Sequence, residues 1–362
     1  MKTMGGRDSR RAGYLYLLGC IMILAVSIFS GCSRQKETET ETQKTQQKEI
    51  TVGFSQLGAE SDWRSANSES MREAFTDEDG YRLFFEDGQQ KQTNQITAIR
   101  KFIQQGVDYI VLAPVTETGW DTVLGEAHNA GIPVIIVDRM VDVEDEELFT
   151  CRVGSDFELE GKKAAQWLHD YSETRKIAPE DLHIVNIQGT IGATAQIGRT
   201  KGLADAADEY GWDLIAEVPG DFTQTKGHEV MESLLEQYQN INVVYCENDN
   251  SALGAIEAIE EAGLHTGSDI AGGDICVISF DGVKKEALEY VLEDKITCIA
   301  QCNPKQGPLV RNIIEMLEKG ETPEKVMYTE EEIYCADDSV QTLTVDGKQY
   351  PVTILSVEKV TE

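Results

Sequence analysis

The chain has 362 residues, 64 acidic against 32 basic, for a formal net charge of -32; 41% of its residues are hydrophobic and 27% charged. That size suits two domains better than one, and the composition excludes collagen, coiled coil, polytopic membrane protein and disordered chain. No nucleic-acid partner is expected of so acidic a chain, because such affinity comes largely from Lys and Arg displacing counterions.

The first 31 residues differ from the rest. Lys2, Arg7, Arg10 and Arg11 against Asp8 give them a net of +3, so the remainder carries -35. The uncharged run over residues 12–31, containing YLYLLGCIMILAVSIF, is long enough to span a bilayer as an uncleaved anchor. Phe29-Ser30-Gly31-Cys32 instead resembles a lipobox, in which a bacterial signal peptidase cuts before a Cys that takes a lipid, with Phe29 where Leu is usual. The preferred reading is a lipoprotein signal peptide over residues 1–31, lipidation at Cys32, and a protein anchored on the extracytoplasmic side of the membrane, periplasmic or at the outer cell surface. The following SRQKETETETQKTQQKE has no aliphatic or aromatic residue, and residues 32–49 read as a disordered tether.

From residue 50 apolar runs of strand length alternate with amphipathic helical stretches. ITVGFSQ reads as a strand and WRSANSESMREAF as a helix, with Ser61 or Asp62 available as N-cap. YRLFFED, QITAIRKFIQQG, VDYIVLAPV, TGWDTVLGEAHNAG and IPVIIVDRM continue the series. The strands are continuous Val/Ile/Leu runs, as expected where helices cover both faces of a parallel sheet. A second series starts near Gly154 and runs from LEGKKAAQWLHDYS through LHIVNIQGT, TAQIGRTKGLADAADEYG, INVVYCEND and DICVISFDG to ITCIAQCNP and GPLVRNIIEMLEKG. Two such series make an α/β protein of two Rossmann-like lobes. The tail, with VDGKQYPVTIL, reads as an added hairpin or strand with a Gly turn.

In open parallel sheets ligands bind beyond the carboxyl ends of the strands. There the first series offers Glu60-Ser61-Asp62-Trp63-Arg64, Ala113-Pro114 and Asp138-Arg139. The second offers Gln188-Gly189-Thr190, Glu247-Asn248-Asp249 and Phe280-Asp281-Gly282. Carboxylates, amides and guanidinium groups suit adjacent hydroxyls, each both donor and acceptor, and Trp63 can carry the C–H face of a sugar ring. Singly, each has an ordinary reading. Trp63 can be core, Asp138-Arg139 a surface ion pair, Asp281 an Asx turn before Gly282, Arg199 a solvated helix face, and residues 248–251 a helix cap. Their joint placement at one edge points to a polyhydroxylated ligand.

The collinear order GFSQLGAESDWR, DGQQKQTNQI, VLAPVTETGW, IPVIIVDR, QGTIGATAQIGRTKG, GDFTQTKGHEVMES, NDNSALGAIEAIEEAGL and FDG resembles the type I periplasmic sugar-binding proteins of ABC transporters. Within that family the chain is most similar to the galactofuranose-binding protein group. The resemblance covers residues 50–334. It implies parallel-sheet lobes joined by a three-segment hinge (periplasmic binding protein-like I), crossing near Val153-Gly154, near Gln301 to Pro304 and near Tyr334-Cys335. The N-terminal lobe is then residues 50–153 plus 304–334, and the C-terminal lobe 154–303 plus 335–362. Carried onto this chain, the ligand contacts are Glu60, Ser61 through its backbone, Asp62, Trp63, Arg64, Asp138, Arg139, Arg199, Asn248, Asp281 and Gln301. The chain departs from relatives that more often carry Gly at Asp62, Glu at Gln301 and Asp-Asp at Asp249-Asn250, which bears on which hydroxyls are read. Also implied are a monomer, a monosaccharide ligand, an ABC permease as partner, and no cofactor. Cys302 and Cys335 fall in neighbouring hinge segments, where a disulfide would restrain opening.

Other chemistries find no support. The chain has no GxSxG elbow, no Walker A motif and no GxGxxG after a strand, and His228-Glu229 lacks the second His of HExxH. Spacing alone does not exclude paired glycosidase carboxylates. The acidic residues 142–147 lack EF-hand spacing and read as a solvated loop, so no metal is expected. A sensor that presents its closed form to a chemoreceptor or histidine kinase is the alternative to transport.

Overall fold

The computed structural model describes residues 49–361. The signal segment, Cys32 and all but the last residue of the tether lie outside the described residues. Among the described residues no helix is long and apolar enough to cross a membrane.

The first lobe starts with β1 (Ile50–Gln56), α1 (Asp62–Ala74), β2 (Tyr81–Asp87) and α2 (Gln92–Gln105). It continues through β3 (Tyr109–Leu112), α3 (Asp121–Asn129), β4 (Val134–Val137) and β5 (Cys151–Gly154). The second lobe holds α4 (Phe157–Arg175), β6 (His183–Gln188), α5 (Thr194–Tyr210), β7 (Asp213–Pro219) and α6 (Gln224–Gln237). After them come β8 (Val243–Cys246), α7 (Asp249–Glu261), β9 (Cys276–Asp281), α8 (Lys285–Leu292) and β10 (Cys298–Gln301). The chain then returns to the first lobe for α9 (Gly307–Glu318) and β11 (Val326–Tyr328), and ends in the second with β12 (Ile333–Cys335), β13 (Thr342–Val345), β14 (Lys348–Ile354) and α10 (Val357–Thr361).

Local signals account for the elements. β3 and β4 read YIVL and VIIV and are buried throughout, because helices pack on both sheet faces. Ser61 caps α1: its backbone is extended and its Oγ accepts the Arg64 N–H at 3.2 Å. In each sheet the first five strands are parallel and follow one order, β2-β1-β3-β4-β5 and β7-β6-β8-β9-β10. That doubly wound order places a topological switch point beside β1 in one lobe and β6 in the other.

The second sheet is not wholly parallel. β12 pairs antiparallel with β10, with Cys335 opposite Cys298, and β14 and β13 extend the edge. The Asp346-Gly347 turn of that hairpin has φ of 51° and 76°, the two left-handed positions of a type I′ turn. The lobes are therefore linked by residues 155–156, 302–306 and 329–332. The third link precedes the Tyr334-Cys335 position given by the resemblance, because β12 is a three-residue strand already inside the second sheet.

The register also corrects the disulfide expectation. Cys302 follows one end of β10 while Cys335 pairs at the other, and both are free thiols. The Cys302 Sγ lies 3.2 Å from Ser155 Oγ.

Helices α4 and α5 pack backbone to backbone. A Cβ on Gly202 would lie 2.5 Å from the Gly161 carbonyl carbon, so Gly202→Ala forces the helices apart. Urea unfolding is expected to show a loss of about 1–3 kcal/mol, the usual cost of overpacking.

Candidate functional site

The carboxyl ends of the two sheets face each other across a cleft. Glu60, Ser61, Trp63, Arg64, Asp138, Arg139, Phe157, Ala195, Arg199, Phe222, Asn248, Asp281 and Cys302 line it, around about 280 Å³ of space.

The first lobe contributes an interlocked set of charges from three strand ends. The Arg139 guanidinium donates to Glu60 Oε1 at 2.6 Å and to the Val115 carbonyl at 3.0 Å. Arg64, one turn into α1, donates to Asp138 Oδ2 at 2.7 Å and lies 4.6 Å over the Trp63 ring. The Trp63 indole N–H donates to the Cys302 carbonyl at 2.7 Å, which fixes the ring against the second crossing. Asp138 holds φ at 63°, a conformation costly for a residue with a Cβ, and Arg152 clamps its carbonyl at 2.7 Å.

The second lobe is built around Arg199 of α5, which is 2% exposed. Its Nε donates to Glu160 Oε2 at 2.8 Å, one terminal nitrogen donates to the Glu247 carbonyl, and the other reaches Asp281 Oδ1 at 3.4 Å. Asp281, at φ 91°, ends β9 much as Asp138 follows β4. Burial holds the Asp281 carboxyl above its usual range despite Arg199, and Asp249 adds to the effect. Asn248 caps α7 through Oδ1 and donates to the Phe222 carbonyl at 3.0 Å. Burial likewise pushes Glu247 up to about 7, against hydrogen bonds from Gly189 N–H, Thr200 and Asn186.

Nine of the eleven expected contacts thus line one cleft, and two do not. Asp62 is exposed at the mouth, where its carboxylate accepts from Asn250 Nδ2 of the opposite lobe at 2.9 Å and lies 3.7 Å from Lys284 Nζ. As the first residue of α1 it points outward while Trp63 and Arg64 turn inward. Gln301 ends β10 between β9 and β12, its Oε1 accepting the Glu332 N–H at 3.1 Å. Four lining residues carried no polar signal in the sequence: Phe157, Ala195, Phe222 and Cys302. The clue to Phe222 was Gly189, where a Cβ would fall 1.9 Å from the Phe222 ring. That glycine exists to admit the aromatic plane.

Three guanidinium groups, of Arg64, Arg139 and Arg199, face three carboxyl groups, of Glu60, Asp138 and Asp281, so the cleft is nearly balanced in charge. The balance is not matched in hydrogen bonds. Nε and one terminal nitrogen of Arg64, and Nε of Arg139, are buried without an acceptor. Buried donors of this kind are costly unless something supplies acceptors. Among the described residues Glu160, Cys302 and Glu331 bring potential metal-ligating atoms within 4.8 Å of one another, next to the cleft. Arg199 already neutralises Glu160 there, which disfavours a cation.

Removing Arg199 leaves two buried carboxyls without their partner. Arg199→Met is expected to lower the unfolding free energy at neutral pH by about 3–5 kcal/mol, read from urea denaturation.

Residues 52–322 match the family model described as "Periplasmic binding protein domain". The chain is 39% identical over 299 residues to the galactofuranose-binding protein YtfQ of Escherichia coli (strain K12), covering 81% of this chain and 90% of that protein. A Mycobacterium smegmatis structure in complex with β-D-fucofuranose is 40% identical with a TM-score of 0.73, covering 78% of this chain and 90% of that one. The periplasmic binding component of the arabinose ABC transporter from Shewanella sp. ANA-3, bound to α- and β-L-arabinofuranose, is 40% identical with a TM-score of 0.72, covering 78% and 91%. These relatives are substrate-binding proteins rather than enzymes, and the chain belongs to the periplasmic binding protein family.

Proposed function

We propose that the protein is a lipoprotein, anchored through Cys32, that captures one monosaccharide in its furanose form between its lobes and delivers it to an ABC permease. Galactofuranose or a related pentose or hexose fits the ligands of its relatives: the similar proteins bind galactofuranose, fucofuranose and arabinofuranose. The observation that carries the reading is the set of buried, acceptor-less N–H groups on Arg64 and Arg139. Ring and hydroxyl oxygens supply the missing acceptors. Glu60, Asp138, Asn248 and Asp281 can accept the hydroxyl protons, and near-balance of charge favours a neutral ligand over an acid.

Both lobes provide hydrogen-bonding groups, so the ligand binds best when the lobes meet. Closure then follows from differential affinity for the two arrangements. Trp63, Phe157 and Phe222 offer flat apolar surface for the C–H faces of the ring. Ser61 contributes from the capping turn. Asp62, tied to Asn250 and Lys284, serves closure rather than ligand contact.

The test is calorimetric titration with a panel of pentoses and hexoses that includes methyl furanosides and methyl pyranosides. One furanose-forming sugar is expected to bind, with the pyranosides silent; silence across the whole panel sinks the reading. Arg64→Met is expected to weaken that sugar at least tenfold, since each charge-assisted bond contributes about 1.5–3 kcal/mol. Trp63 is the only one of the four tryptophans lining the cleft, so binding should shift the emission of the protein but not of Trp63→Phe.

A further inference from the structure

All three crossings between the lobes meet at one carboxyl group. Glu331, on the third crossing, accepts at Oε1 from Ser155 Oγ of the first and from the Asn303 N–H of the second, the latter at 3.1 Å. A third donor, Thr329 Oγ1, reaches the same oxygen at 2.9 Å. Three donors on one oxygen leave the second oxygen of Glu331 for another partner.

Glu160 stands beside it. This residue of the first turn of α4 is 2% exposed; its Oε2 takes the Arg199 bond and its Oε1 is buried with no partner. Oxygens of Glu160 and Glu331 lie within 4.8 Å of each other, and with the one nearby guanidinium committed to Glu160 their repulsion favours a proton on one of them. A proton on Glu331, donated to Glu160 Oε1, supplies the partner that buried oxygen lacks and removes one charge.

The other groups facing this point are few. Lys163 of α4 donates from Nζ to the Glu331 carbonyl at 3.3 Å, and Arg152 of β5 donates to the Ser155 carbonyl at 2.8 Å. Arg199 of α5 and Asp281 of β9 act through Glu160, the Cys302 thiol of the second crossing faces both Glu160 and Glu331, and Asp156 acts on Lys163. The cationic groups are committed to carbonyls or to Glu160, and none forms an ion pair with the Glu331 carboxylate.

We propose that a single proton held between Glu331 and Glu160 ties the three crossings together in the closed arrangement, which makes Glu331 a positioning residue for the cleft. Burial and then Glu160 push the Glu331 carboxyl up to about 8. For an acid raised in this way, the stabilisation is full below the ordinary carboxylate range and is lost as pH rises through about 8. The link to the cleft runs through Glu160 to Arg199 and on to Asp281. Only that last step rests on the proposed ligand; the lock itself is a property of the unliganded protein.

The experiment compares wild type, Glu331→Gln and Glu331→Ala without ligand, by thermal unfolding and small-angle scattering at about pH 6.5 and about pH 9. Gln keeps an acceptor for the three donors and a fixed N–H for Glu160. Its unfolding temperature is expected to fall less between the two pH values than that of wild type, and its scattering to stay compact. Asp281 and Glu247 also titrate in this range but are common to all three proteins, so the difference between wild type and Gln isolates Glu331. Ala is expected to unfold earlier at both pH values and to scatter as a more open particle. Equal pH dependence in wild type and Gln, or Ala indistinguishable from wild type, overturns the proposal. With the binding sugar, wild-type affinity should drop between the two pH values at least about threefold more than that of Gln, and equal drops count against the link to the cleft; if the unfolding profiles separate but no sugar binds, the lock stands and the ligand reading fails alone.

Discussion

A guanidinium group removed from water must be surrounded by acceptors, and this protein removes three at a single place. Arg64, Arg139 and Arg199 are each no more than 3% exposed. Most of the architecture around the cleft serves that condition. Two strand-end aspartates sit in left-handed backbone so that their carboxyls meet arginines, and carbonyls of Val115 and Glu247 turn toward the same groups. The partial shortfall of acceptors at Arg64 and Arg139 is the demand that the proposed sugar would relieve.

The same arginines join the cleft to the crossings. Arg199 contacts Asp281 on the cleft side and Glu160 on the hinge side, so whatever happens to one carboxyl is felt at the other. On the opposite lobe Trp63 is pinned to the Cys302 carbonyl, again a crossing residue. Contacts across the mouth complete the arrangement: Asp62 with Asn250, and the Met140 N–H with Thr194 Oγ1 at 2.8 Å. Cleft and hinge are therefore one polar network rather than a site mounted on a passive joint.

The βα alternation was plain in the residues, because buried parallel strands leave uninterrupted runs such as VIIV and capped helices begin at Ser, Asp or Asn. The polar lining was also legible, since carboxylates and arginines at strand ends have few other uses. Phe157 and Phe222 were not, because an aromatic residue after a loop looks the same whether it enters a core or a cleft. Asp62 misled for a geometric reason: neighbours in the first turn of a helix point about a hundred degrees apart, so Trp63 and Arg64 turn inward while Asp62 faces out. Gln301 and the third crossing misled because β12 is three residues long, too short for periodicity to reveal, and its pairing with β10 depends on residues far apart in sequence. Cys302 and Cys335 were assigned to neighbouring hinge segments but lie at opposite ends of β10, a relation that only strand direction exposes.

The return of the chain for α9 and β11 also has a temporal side. Until residues 307–328 are available, β5 is an unpaired sheet edge and the apolar face later covered by Val310, Ile313 and Ile314 is bare. An emerging polypeptide can complete neither half in isolation, because the first needs a segment made after nearly all of the second. Non-local pairing of this kind slows acquisition of the native state and lengthens the interval in which sticky intermediates are exposed. The newly exported chain therefore passes through a vulnerable stage that ends only when its last sixth or so has arrived.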